Sequence, residues 1–242
     1  MDKIINFYCD ASIDAPLKIA CAAYSMSVQD FKTQQVLHSY EDVICTIEKN
    51  ATNNSAEILA ILTAVNKAAE LYQKDKNILF RIFSDSRISI FGLREWIPSW
   101  IKNMNNNILY SAQGNPVLNQ QRFIQVFNTI VSNDMKVEFY HQRGHVLDHK
   151  STCNINDAKR SFIHENGIAP EYLGVNMEYL CKYNDLVDNT SRAVLYDYIN
   201  QRIEVPSENI TVIGEDPMTY FIRADKVKKY LNLIDRNTIL RR

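Results

Sequence analysis

Apolar positions along the chain change period several times, and each change marks an element. Residues 3–10 (KIINFYCD) form a near-continuous apolar run rich in β-branched and aromatic side chains, the pattern of a strand covered on both faces. The run ends on Asp10. Two more strand-like runs follow at 18–28 and 34–47, separated by the polar stretch 29–33, which predicts an antiparallel three-stranded opening. From 55 to 74 the spacing turns helical, with Ile58, Leu62, Val65 and Ala69 on one stripe. Asn54 reads as the N-cap of this helix, and Glu57 stands in the capping-box position three residues later.

Segment 77–84 (NILFRIFS) returns to a strand pattern and is followed by Asp85-Ser86 and a helical stretch reaching residue 103. An Asn-rich, aperiodic loop spans 103–116, helical spacing resumes over 117–131, and 135–140 reads as another strand. Segment 146–183, with Gly167, Pro170 and Gly174, is irregular apart from a short helix at 157–164, and 184–202 reads as a helix. Beyond Pro206 come short strand-like runs at 210–213 and 219–222 and a basic helix at 226–233. The order predicts an α/β fold: a five-stranded mixed sheet, first three strands antiparallel and the last two added parallel, with helices on both sides. We expect one domain over 1–202, carrying 146–183 as an insertion before its last helix, and a small C-terminal appendage over 203–242.

Composition narrows the class of protein. The 242 residues are 46% apolar and 23% charged, with six glycines and six prolines, which excludes disordered and fibrous chains and allows a sizeable core. A formal charge of -1 gives no general basic field, so a grip on nucleic acid needs a local patch or bound metal. Five scattered cysteines point to reduced thiols in a cytoplasmic protein rather than a disulfide framework. Nowhere do about 18 apolar residues run together, and the opening apolar run is too short for a secretory signal, so no membrane association is expected.

The candidate chemistry lies in four acids. Asp10, Glu57, Asp85 and Asp188 fall at a strand end, the first turn of the next helix, the following strand end and a late helix, where a mixed sheet can gather them. Carboxylate oxygens are hard ligands suited to magnesium or manganese, and clustered carboxylates repel one another unless a divalent cation neutralises them. Taken singly, each has a plainer role: Glu57 and Asp85 as helix caps, Asp188 as the i,i+4 partner of Arg192, and Asp10 as a strand terminator. Their joint order carries the signal.

Around these acids the chain resembles the type 1 ribonuclease H family. Cys9-Asp10-Ala11-Ser12 is similar to the family's strand ending in aspartate, glycine and serine, and Thr52-Asn53-Asn54-Ser55-Ala56-Glu57 to its threonine, paired asparagines and helix glutamate. Ser84-Asp85-Ser86 with Gly92 and Trp96/Trp100 resembles the aspartate–serine turn, downstream glycine and paired tryptophans. Arg143-Gly144-His145 and Asn184-Asp185-Leu186-Val187-Asp188 look like the histidine loop and the helix bearing the last aspartate. The likeness runs in order over 3–145 and resumes at about 184–200.

The resemblance implies hydrolysis of the RNA strand of RNA–DNA hybrids, with two magnesium ions (manganese as a substitute) held by Asp10, Glu57, Asp85 and Asp188. It implies 5′-phosphate and 3′-hydroxyl ends, and help from His145 in proton transfer or product departure. Asn53 and Asn54 become the candidates for reading a ribose 2′-hydroxyl, and Thr52 for holding a phosphate. Ser12, Ser86, Arg87 and Trp96 complete the expected substrate contacts.

Four departures stand out. Ala11 replaces the usual glycine, Arg87 stands where glutamine is common, and 101–121 contains Lys102 as its sole basic residue. The gap from His145 to Asp188 is long where relatives have a short loop. The alternatives are a nuclease of the same fold acting on another nucleic acid and a non-catalytic binding module. His149, Cys153, His164 and Cys181 are zinc-type ligands, but their spacing matches no compact finger.

Overall fold

The computed structural model describes residues 1–148, 151–203, 205–214 and 218–234. Its centre is β1 (Lys3–Asp14), paired antiparallel with β2 (Ile19–Asp30) and parallel with β5 (Ile78–Ser84), which in turn pairs parallel with β6 (Lys136–His141). The apolar opening run is explained by this placement: Phe7 faces one side layer and Tyr8 the other, both fully buried. β1 continues past Asp10 because Asp14 still pairs with Ile19, so Asp10 sits within the strand rather than at its end.

The mixed sheet is as expected, but it has seven strands rather than five, in the order β6-β5-β1-β2-β4-β7 with β3 also on β2. The single run 34–47 divides into β3 (Val36–Ser39) and β4 (Ile44–Lys49), both antiparallel to β2. Between them lie the polar residues Glu41 and Asp42, both exposed. The seventh strand, β7 (Ile210–Ile213), comes from the tail and adds parallel to β4. Segment 219–222 is irregular instead of a strand, and there the Tyr220 amide donates to Gln121 Oε1 at 2.6 Å.

One face of the sheet is covered by α1 (Asn53–Lys74), α4 (Gln120–Asn133) and α7 (Val227–Ile234). α7 is fixed there by Tyr230, which is fully buried, stacks on Phe127 at 4.6 Å and donates to the Leu93 carbonyl at 2.8 Å. The other face carries α5 (Ile155–Asn166) and α6 (Met177–Ile199), packed over Tyr8, Phe83 and Tyr140. α6 starts well before the expected residue 184, because Asn176 caps it by accepting from the Tyr179 amide at 2.7 Å.

After β5 the chain forms α2 (Arg87–Phe91), a π-helical turn (Gly92–Trp96) and α3 (Ile97–Lys102). Gly92 allows that turn to lie against its neighbours: a β-carbon there would stand 2.6 Å from Phe123 Cε1 and 2.9 Å from Trp100 Cη2. Among the described residues no helix is long and apolar enough to cross a membrane. All five cysteines are free.

Candidate metal centre

The parallel pairing of β1 with β5 brings Asp10 and the end of β5 to the same region of the sheet, and Asp85 is the first residue beyond β5. Glu57 approaches from α1. The cap of that helix differs from the sequence expectation: Thr52, not Asn54, is the N-cap, and its box partner is Ser55. The Ser55 amide donates to Thr52 Oγ1 at 3.1 Å, and the Thr52 amide donates to Ser55 Oγ at 2.8 Å. Ser55 therefore takes the capping position, and Glu57, two residues on, is turned inward rather than back to the helix start.

One carboxylate oxygen from each of Asp10, Glu57 and Asp85 lies within 4.8 Å of the other two. Asp10 and Glu57 are buried and Asp85 is partly so. Asp10 Oδ1 accepts from the Ala11 amide at 2.7 Å and Oδ2 from Asn184 Nδ2 at 3.1 Å. Glu57 Oε2 is buried with no hydrogen-bond partner, an arrangement that costs free energy unless something else is bound to it. Asp188, on α6, lines the same cleft but stands outside the 4.8 Å group. Its two oxygens receive Arg192 Nη2 at 2.8 and 2.7 Å, and His145 Nδ1 lies 3.4 Å away.

Electrostatics mark these groups as a strained set. Burial, followed by the charges of Asp85 and Asp188, pushes the Asp10 carboxyl well above the usual carboxylate range. Burial and then Asp10, Asp85 and Asp188 do the same to Glu57. Asp85 is pushed up to about 6, mainly by burial and against the pull of His145. Buried carboxylates that repel one another, with one oxygen lacking any partner, fit a hard divalent cation. The donor set accordingly suits magnesium or manganese.

The remaining expected residues divide by place. Ser12, Asn53, Asn54, Ser86, Arg87 and His145 line the cleft with the acids. Ser12 Oγ lies 2.7 Å from Ser191 Oγ, Ser86 caps α2, and His145 is exposed with a left-handed φ of 55°. Thr52 and Trp96 are not on this wall. Thr52 opens onto a neighbouring cavity between α1 and α4, and Trp96 onto a groove with Trp100 that adjoins the cleft at Asn54 and Ile88. Of the zinc-type ligands, His149 lies outside the described residues, and among those described Cys153, His164 and Cys181 join no cluster of three ligands.

Three contributors were quoted from the sequence without a role at the site. Asn184 and Arg192 stand one helical turn before and after Asp188 on α6, so the i,i+4 spacing alone places all three on one face. Gly144 is different. A β-carbon there would lie 1.9 Å from Asp85 Oδ2, so only glycine lets the backbone after β6 pass so near that carboxylate.

A hard-ligand carboxylate cluster on a mixed sheet defines a candidate metal centre in an α/β protein. The RNase H family model matches residues 2–156, and the chain belongs to that family. The match takes in Asp10, Glu57 and Asp85 and ends before Asp188. A curated relative, Ribonuclease H of Neorickettsia sennetsu (strain ATCC VR-367 / Miyayama), is 28% identical over 96 residues, 40% of this chain and 58% of the relative. The chain thus matches under two thirds of that relative's length. LC11-RNase H1, isolated from compost by a metagenomic approach, aligns at 15% identity over 79% of this chain and 97% of its own, with a TM-score of 0.43. LC9-RNase H1, described as a type 1 RNase H with the type 2 active-site motif, aligns at 15% identity over 72% and 74%, with a TM-score of 0.43.

Proposed function

We propose that the chain is a metal-dependent endonuclease that hydrolyses the RNA strand of RNA–DNA hybrids and leaves 5′-phosphate and 3′-hydroxyl ends. The observation that carries this reading is the convergence of Asp10, Glu57 and Asp85, with Glu57 Oε2 buried and unpartnered. Family membership supplies the substrate class. In this reading Asp10, Glu57, Asp85 and Asp188 hold two magnesium ions, with manganese able to replace them. Such ions, when bound, supply activation of water and neutralisation of charge at a scissile phosphate.

The chain's own groups orient and exchange protons. Asn184 and the Ala11 amide fix both oxygens of Asp10, so its carboxylate is held ready before ligand arrives. His145, exposed at the cleft mouth beside Asp188, passes a proton to the departing oxygen. Asn53 and Asn54, exposed on the first turn of α1, contact the ribose 2′-hydroxyls, while Thr52, Ser12, Ser86, Arg87 and Trp96 contact the backbone and bases around them. Segment 146–183 is an insertion in the 1–202 domain, and 203–242 is an appendage to it.

The test is cleavage of labelled RNA–DNA hybrid, single-stranded RNA, duplex RNA and duplex DNA, with magnesium and with chelator, by the protein and by Asp10→Asn. Magnesium-dependent cleavage of hybrid alone, lost in the variant, is expected. Cleavage of duplex DNA, or binding without cleavage, would overturn the reading.

A further inference from the structure

We propose that the inserted segment 146–183 holds the metal centre in register, through Glu165 and His141 acting on the main chain of Asp85. This rests on the proposed metal-dependent reading. His141 is the last residue of β6, next to β5 where Asp85 begins the following turn. Its Nε2 lies 3.0 Å from the Asp85 carbonyl oxygen. A carbonyl only accepts, so Nε2 carries a proton and donates it. On the other side of the ring, Nδ1 stands 3.2 Å from Glu165 Oε2 at the C-terminal end of α5. That oxygen makes no hydrogen bond, and the approach sets the carboxyl against the edge of the ring, with Arg87 Nε 3.7 Å from the same atom.

The end of α5 is itself anchored from two directions. Asn166, 2% exposed, accepts from the His141 amide at 3.1 Å and donates to the His141 carbonyl at 2.6 Å. Arg94, from the π-helical turn, donates to Asn166 Oδ1 at 2.8 Å and to the Glu165 carbonyl at 2.9 Å. Glu165 is therefore placed by the backbone of β6 and by the element after β5, with little freedom of its own. The chain of contacts runs from the insertion to a carboxylate-bearing residue of the metal centre. Its closing link is Gly144, which brings the backbone after β6 against the Asp85 side chain. His141 and Glu165 touch no reacting atom. They are positioning residues, comparable to groups that orient metal ligands from behind and whose loss commonly costs about 10- to 100-fold in metal affinity or activity.

The experiment compares the full chain with His141→Phe, Glu165→Ala and Glu165→Gln. Manganese affinity is measured by titration calorimetry, magnesium dependence of hybrid cleavage by kinetics, and folding by thermal melting. His141→Phe and Glu165→Ala are expected to weaken manganese binding about tenfold and to raise the magnesium needed for half-maximal cleavage by the same factor. Glu165→Gln, which keeps an oxygen beside Nδ1 and the bulk of the side chain, restores most of the affinity. Unchanged manganese affinity in folded Glu165→Ala overturns the inference and leaves the insertion a packing element. If the unsubstituted protein binds manganese but cleaves no hybrid, the nuclease reading fails on its own, and the calorimetric comparison still decides the role of Glu165.

Discussion

Arg192 holds Asp188 with a single guanidinium nitrogen, Nη2 lying 2.8 and 2.7 Å from the two carboxylate oxygens. The guanidinium occupies an acid that the proposed function assigns to metal, so the two cations compete. Because the Arg192 side chain is half exposed, the pair contributes only about 0.2–1 kcal/mol. Arg192→Ala is therefore expected to strengthen magnesium binding by about twofold to fivefold, read by calorimetry. Weaker binding in the variant would mean that Arg192 supports the site rather than contests it.

Asp10→Asn is expected to separate activity from stability. Cleavage should fall by about 10³-fold, since several kcal/mol of charge stabilisation depends on the cluster. In chelator, the same variant should melt at a higher temperature than the parent, because one member of a repelling buried set becomes neutral. A lower melting temperature in chelator would contradict the account of the cluster as strained.

The metal-free protein should also lose stability as pH rises. The Asp85 carboxyl is pushed up to about 6 from 3.8, so the folded chain binds this proton more tightly than the unfolded chain. That contribution is fully present below the unfolded value and is lost as pH rises through about 6. Asp10 and Glu57 shift in the same direction. Melting temperatures in chelator should fall from roughly pH 4 to pH 6, and saturating magnesium should remove the fall. Parallel pH slopes with and without magnesium would show that the acids do not share an ion.

Gly144→Ala tests the close passage beside Asp85. The added carbon would lie 1.9 Å from Oδ2, so the loop or the carboxylate must move. Metal affinity should drop by about 10- to 100-fold, with hybrid binding in the absence of metal unchanged. Full activity in this variant would show that the loop relaxes without disturbing Asp85.

Tyr230→Ala tests how deeply the tail is built into the protein. Removing a fully buried ring that stacks on Phe127 should cost about 3–5 kcal/mol and lower the melting temperature by roughly 6–20 °C. A variant that melts unchanged would make α7 an accessory.

Much of the sheet and most of the cleft were legible in the sequence because they depend on local pattern. The apolar run of β1 and the one-sided stripe of α1 each name their surroundings. Glu57 was found despite a mistaken cap: the Asn-Ser-Ala-Glu spacing suited a capping box, but Ser55 was already within reach of Thr52 and took that role. β7 was visible as a short apolar run, yet its pairing with β4 joins residues far apart in the chain, and nothing in four residues specifies a parallel partner. His141, Glu165 and Asn166 could not be read as one unit for a related reason. Their association exists only because α5 folds back onto the end of β6.

The Asn166 carboxamide has a further effect at that place. By accepting from the amide of His141 and donating to its carbonyl, it fills both outward-facing main-chain positions that an incoming strand would need there. The end of the sheet nearest the metal centre is thereby closed to strand addition by another polypeptide, a protection against self-association supplied by one side chain.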